Sequence, residues 1–230
     1  MTMTTPVALA DDFGFGDDHD LLRKTARRWL ADNSPLTAAR NLVDDATGYE
    51  PDKWKQIIEL GWPGLVIAET HGGAELDYLS LALLLEETGR CLLPSPLVAT
   101  ILAGIAVDLA GNDDQRKHWC TAIARGDMIA TVGLSEPSNS WELDGVEATA
   151  TADGDDYVLA GTKTHVMWAT SADVMVAPFR VGAELALFAV DLKDTRVSAE
   201  VSIDTTRRPG CLSGRRRIAP APRRRETARP

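Results

Sequence analysis

Three cysteines in 230 residues, Cys91, Cys120 and Cys211, are too few and too far apart for a disulfide framework. Free thiols suit a reducing compartment, and a cytoplasmic location is expected. No run of 18 or more apolar residues occurs, so no membrane-spanning helix is expected. Residues 1–20 are acidic and lack a basic stretch followed by an apolar one, so no secretory leader is expected. His71 has no second His or Cys nearby at metal-ligand spacing and reads as a turn residue, and no metal is expected. The only G-x-G, in Phe13-Gly14-Phe15-Gly16, is followed by Asp17 and Asp18 and preceded by no strand. Carboxylates there would repel a phosphate, so a nucleotide loop is excluded.

Positive charge is also scarce, except at one end. The net charge is −10, yet from Arg207 to Pro230 there are nine Arg against one Glu. The tail therefore carries +8 and the preceding 206 residues −18. An acidic body does not suit nucleic acid, whose binders present basic surface. The tail lacks aromatic interleaving and helical periodicity, so no nucleic-acid partner is expected.

What is present falls into two kinds of pattern. Residues 1–16 read as a loose arm. From Asp20 to Asn33, Leu21, Leu22, Trp29 and Leu30 share one side of an amphipathic helix. A second helix starts at Pro51 and stops at Gly61. Asp77 can cap a third, Tyr78 to Thr88, which is apolar nearly all round and should be the centre of a helical domain. A fourth follows Ser95-Pro96 up to Gly111, and a fifth spans Asp113 to Arg125. Strand signals begin with the alternation before Leu134 and break at Ser135-Glu136-Pro137. They resume after Trp141, turn at Gly154-Asp155 and run as two more short strands through Tyr157 and Val166. Val174 to Phe179, Leu185 to Val190 and Val197 to Ile203 read as further strands. Beyond Thr206, Arg, Pro, Gly and Ser dominate, a composition that cannot bury enough apolar surface to fold alone. The expected fold class is therefore α+β. An all-α helical bundle over 1–127 precedes an antiparallel β domain over 128–206, and 207–230 is a disordered basic tail. A strand ending at a Ser-Glu-Pro corner leaves amides and a hydroxyl at a sheet edge. It could hold a flat hydrogen-bonding ligand or be an ordinary meander.

The order of several motifs carries a resemblance. G-W-P-G-L, H-G-G-A-E-L-D, L-L-L-E-E-T-G-R, P-S-P-L, I-A-T-V-G-L-S-E-P and G-T-K-x-x-V-x-W-A-x-x-A-D occur in sequence. This succession resembles the acyl-CoA dehydrogenase family over about residues 20–206, its N-terminal helical and middle β domains. The resemblance implies FAD as cofactor, an acyl-CoA thioester as substrate and α,β-dehydrogenation. A carboxylate would take the α proton while hydride passes to the flavin, with electrons then going to an electron-transfer flavoprotein. It places Leu134 and Ser135 at the position that bonds the flavin ring, where Ser135 could equally cap a turn. It places His165, Val166 and Met167 where the family has an aromatic, an aliphatic and a Ser or Thr beside the flavin. His165 could equally be a half-exposed strand residue, and Met167 lacks the hydroxyl.

Two departures stand out. Where the family continues with Gly-x-Gly-Ser-Asp, this chain has Ser138-Asn139-Ser140-Trp141-Glu142. Trp141 thus falls where a small residue would contact flavin or thioester, and is a candidate substrate-binding residue. The family's C-terminal helical domain, which supplies the catalytic carboxylate, has no counterpart after Thr206. No catalytic residue is therefore assigned, and the base is expected from that domain. The Arg/Pro-rich remainder resembles a GC-rich gene read out of frame. The chain is expected to be inactive alone and to work in a homo- or hetero-oligomer with another acyl-CoA dehydrogenase subunit. A non-catalytic partner subunit in lipid or steroid degradation, or a binding fragment without flavin, are the alternatives.

Overall fold

A computed structural model describes residues 15–193 and 195–218. The loose arm expected over 1–16 lies almost wholly outside the described residues. Among the described residues seven α-helices come first: α1 (Asp17–Asn33), α2 (Leu36–Asn41), α3 (Pro51–Glu59), α4 (Tyr78–Arg90), α5 (Leu97–Ala110), α6 (Asp113–Gln115) and α7 (Thr121–Arg125). Arg116–Cys120 is a π-helical segment between α6 and α7, so the expected fifth helix is present with a widened turn in its middle. Local chemistry fixes the ends. The Asp77 carboxylate accepts from the Ser80 N–H at 2.8 Å, and Gly126 ends α7 in the left-handed region. The short α2 was not expected, since Ser34-Pro35 reads only as the end of α1.

The helices enclose a core of Ala26, Leu30, Trp54, Ile57, Trp62, Leu81, Leu84 and Leu97, with Trp29 edge-to-face on Trp62 at 5.2 Å. Glu87 on α4 is buried, and its carboxylate takes both arms of Arg27 from α1, at 2.9 and 2.6 Å. α4 is buried on several sides, through Ser80, Leu81, Leu83, Leu84, Glu87 and Thr88, as its composition suggested. Tyr78 and Ala82 are exposed, and on α5 so are Val98, Leu102 and Leu109.

Seven strands follow: β1 (Ala130–Val132), β2 (Thr149–Asp153), β3 (Asp156–Met167), β4 (Val174–Val181), β5 (Glu184–Asp191), β6 (Val197–Ala199) and β7 (Pro209–Ile218). They form one sheet in the order β1-β4-β2-β3-β7-β6, with β5 on the other edge of β4. The fold class is α+β, but the sheet is mixed rather than antiparallel. β1 and β2 both run parallel to β4, because neither reaches β4 through a hairpin. β5 pairs β4, and β3 pairs both β2 and β7, in antiparallel fashion.

Residues 209–218 are not disordered: they form β7, paired with β3 from Met167↔Pro209 to Tyr157↔Ile218 and with β6 at three positions. The reason is that a ladder is made of backbone groups. β3 is twelve residues long and offers an edge that almost any sequence without internal proline can pair with. Side-chain packing is a separate matter. Leu212 is buried beside Lys163, but the next core-facing positions hold Gly214 and Arg216. Residues 219–230 lie outside the described set.

A third cluster joins the layers. Ile67, Ala103, Val107, Cys120 and Ile123 of the helical part meet Ala130, Val174 and Val176 of the sheet. The buried Thr100 hydroxyl on α5 donates to the Ala130 carbonyl at 3.1 Å and accepts from the Ala130 N–H at 3.3 Å. The start of β1 is thereby pinned to α5. Among the described residues no helix is long and apolar enough to cross a membrane.

Candidate functional site

β1 leaves α5 at Ala130, and its ladder extends one residue further, the Gly133 N–H donating to the Val176 carbonyl at 3.0 Å. A Cβ on Gly133 would come within 2.3 Å of the Met175 sulfur, so any other residue there would push the Met175 side chain aside. Leu134 then points out, 61% exposed. The Ser135 carbonyl accepts from the Thr164 N–H at 2.9 Å. Among the described residues its N–H and hydroxyl have no partner.

The corner is held by the residue after it. Glu136 turns inward and is 4% exposed, and its carboxylate accepts from Lys163 Nζ at 2.6 Å, from the Glu147 N–H at 2.7 Å and from the Ala148 N–H at 3.1 Å. Lys163, 2% exposed, also donates to the Pro178 carbonyl at 2.7 Å and lies 5.0 Å from the Phe179 ring centre. One ion pair thus ties the end of β1, the start of β2, β3 and β4 together. Burial pushes the Lys163 ammonium below its ordinary value, and the bond to Glu136 opposes that shift. Pro137, the expected break at this corner, is exposed and makes none of these contacts. The missed signal was a lone lysine at a core-facing position of an alternating strand, and a glutamate just before a proline.

β3 carries a bulge between Lys163 and Val166, and His165 occupies it with φ 53°. The His165 N–H donates to Glu200 Oε2 at 2.8 Å, and its Nδ1 lies 3.0 Å from the same oxygen. The ring is otherwise exposed. Val166 returns inward and is 1% exposed in the β core, so its side chain supports the strand from behind. Met167 is half-buried, and its carbonyl accepts from the buried Thr131 hydroxyl at 2.6 Å. Two hydrogen bonds, Thr164 to Ser135 and Thr131 to Met167, therefore hold the Leu134-Ser135 and His165-Val166-Met167 segments side by side. Thr164 Oγ1 is buried between them with no hydrogen-bond partner.

Trp168 follows with φ 59°, buried edge-to-face on Tyr49 at 5.8 Å, its N–H donating to the Arg208 carbonyl at 2.6 Å. It also walls a cavity of about 280 Å³ with Leu85, Thr88, Leu93, Val98 and Arg207. That cavity lies between the α4–α5 connection and the sheet, next to the paired segments. Trp141 is apart from it. The indole is 93% exposed in a loop where Asn139 takes φ 53° and Ser140 closes onto Gly145, whose added Cβ would sit 2.2 Å from Ser140 Oγ. Among the described residues, no cluster of His, Cys, Asp and Glu could hold a metal ion.

Comparison with known proteins agrees with this architecture. The profile described as "Acyl-CoA dehydrogenase, N-terminal domain" matches residues 16–127. The mitochondrial short-chain specific acyl-CoA dehydrogenase of Bos taurus is 30% identical over 166 residues, 70% of this chain and 40% of that protein. The 3-(aryl)acrylate reductase of Clostridium sporogenes is 26% identical over 208 residues, 86% of this chain and 54% of that one. Among solved structures, the ChsE4-ChsE5 complex of Mycobacterium tuberculosis superposes with TM-score 0.78 at 22% identity, over 93% of this chain and 57% of that one. The Tcur3481-Tcur3483 steroid ACAD G363A variant does so with TM-score 0.77 at 27% identity, over 89% and 58%. Over its helical and β parts the chain belongs to the acyl-CoA dehydrogenase family. It spans about 40% of the length of the short-chain relative and 57% of the ChsE4-ChsE5 chain.

Proposed function

We propose that this chain is the flavin-holding part of an FAD-dependent acyl-CoA dehydrogenase, which removes hydrogens from the α and β carbons of an acyl-CoA and passes electrons to an electron-transfer flavoprotein. The observation that carries this reading is the Ser135 corner. An N–H and a hydroxyl with no partner among the described residues stand beside the exposed Leu134 and the half-buried Met167, on a frame set by Glu136–Lys163. Hydrogen-bond donors next to an apolar platform fit the polar edge and the ring of an isoalloxazine. Leu134, Ser135, His165 and Met167 would hold it, with Val166 supporting β3 from the core. When bound, FAD would supply the hydride acceptor. The cavity walled by Trp168, Leu85 and Leu93 is the proposed place for the acyl chain. Glu136 is committed to Lys163 and two amides, so it is not the base. We assign the base to a polypeptide outside the described residues, and the chain alone is expected to turn over no acyl-CoA. The unpaired thiols of Cys91, Cys120 and Cys211 accord with work in the cytoplasm.

A second reading, a partner subunit that completes another chain's site without catalysing, has its own support. The turn at Ser138–Glu142 puts the large Trp141 side chain into solvent, where a covering partner would bury it. Two of the similar structures are two-subunit complexes by their names. Purification with and without a co-expressed acyl-CoA dehydrogenase separates the two readings. Flavin absorbance in the chain alone supports the first. Flavin and acyl-CoA turnover found only in the co-purified complex support the second. A colourless chain that neither binds FAD nor co-purifies would reject both.

A further inference from the structure

The β layer contains a cavity of about 270 Å³ that the corner does not use. Its floor is apolar: Leu159, Met175, Phe179, Val190 and Leu212. It exists because of what β7 places on the core-facing side. Register sets Gly214 opposite Gly161 and Arg216 opposite the buried Leu159. Antiparallel partners directly opposite share a face, so glycine and arginine stand where the core would take two apolar side chains. A Cβ on Gly214 would meet nothing within 4 Å. The arginine bridges the mouth: the Arg216 guanidinium donates to the Thr195 hydroxyl, and Arg196 lines the same opening. Among the described residues no carboxylate pairs with Arg196 or Arg216. Lys163, also in the lining, is already committed to Glu136 and Pro178.

An apolar cavity bridged by a half-buried guanidinium that pairs with no carboxylate among the described residues asks for one kind of molecule. We propose that this cavity binds an aliphatic carboxylate, its chain on Leu159, Met175 and Phe179 and its carboxylate on Arg216. A guanidinium presents a planar fork that matches a carboxylate. The volume sets the chain length. A methylene takes up close to a water's share of liquid, about 30 Å³, so there is room for about eight to ten carbons. The inference rests on the β layer alone and stands or falls apart from any flavin site.

Calorimetric titration of the 230-residue chain with decanoate and with decanol is the test. Decanoate should bind at least about tenfold more tightly than the alcohol, as expected when a charge-assisted contact is lost. Arg216→Gln should reduce decanoate affinity about tenfold and bring it level with decanol. Arg207→Gln, at the other cavity, should leave decanoate affinity unchanged. Equal binding of acid and alcohol, no binding of decanoate, an unaffected Arg216→Gln chain, or a loss confined to Arg207→Gln would each overturn the proposal. Should Arg216→Gln fail to fold, the acid–alcohol comparison on the unaltered chain still decides.

Discussion

Replacing Glu136 by Gln keeps the side chain's shape and one carbonyl oxygen for the Glu147 and Ala148 amides, but removes the charge 2.6 Å from Lys163. The lysine is then an uncompensated cation at 2% exposure, with only the Pro178 carbonyl to accept from it. Breaking a buried pair from one side costs about 3–5 kcal/mol. The retained amide contacts put Glu136→Gln near the lower end, about 3 kcal/mol. For a chain of this size that is a drop in Tm of roughly 6–12 °C. The loss should depend on pH in one direction. Lys163 already sits below its ordinary 10.5 through burial, and removing Glu136 takes away the contact that holds it up. The unfolded chain then binds that proton more tightly than the folded one. The penalty is full below the folded pKa and is relieved as pH rises towards 10.5. Scanning calorimetry at pH 7 and 9.5 reads both effects. The double change Glu136→Gln with Lys163→Met should recover most of the loss, because no charge is left buried. The reasoning fails if Glu136→Gln melts within about 2 °C of the parent at pH 7, or if the double variant is no more stable than the single.

Three further outcomes are expected. Glu87→Gln should destabilise the chain at neutral pH, since Arg27 holds the Glu87 carboxyl below its ordinary 4.5. That difference should be fully present above pH 4.5 and fade as pH falls through the lowered folded value, read from urea midpoints across the acid range. Ser135→Ala should weaken FAD binding about tenfold in an equilibrium fluorescence titration. It should leave Tm unchanged, because the hydroxyl has no partner within the described chain. Arg216→Leu should raise stability by about 1–2 kcal/mol in urea titration, as an apolar side chain opposite Leu159 fills space that glycine and arginine leave open.

Periodicity and caps were enough for most helices. The spacing of Leu21, Leu22, Trp29 and Leu30, Pro51 as a first helical residue, Asp77 as a cap and Gly126 as a stop all lie within a few residues of what they specify, so local chemistry alone settles those ends. Most strand positions from Ala130 to Asp191 were legible for the same reason, but the two short strands read through Tyr157 and Val166 are one twelve-residue strand, β3, held continuous by its pairing with β2 and β7. Partnership was not. Alternation says that Val174 to Phe179 is a strand, but not that β1 lies parallel to it across 44 residues. The bulge at His165 depends on Glu200, 35 residues away, accepting from its N–H. The Glu136–Lys163 pair spans 27 residues, and neither residue stands out as buried until both are.

The sequence by itself determined where the backbone coils and where it extends, and that a helical part precedes a β part, because those choices are made by neighbours within a few positions. Only the tertiary structure decided which edge β7 would take and which charges would leave water. Backbone hydrogen bonding is indifferent to side chains, so a segment rich in arginine could complete a ladder whose core it does not fill. Charge burial depends on a partner brought from elsewhere in the chain, and no local pattern records that partner.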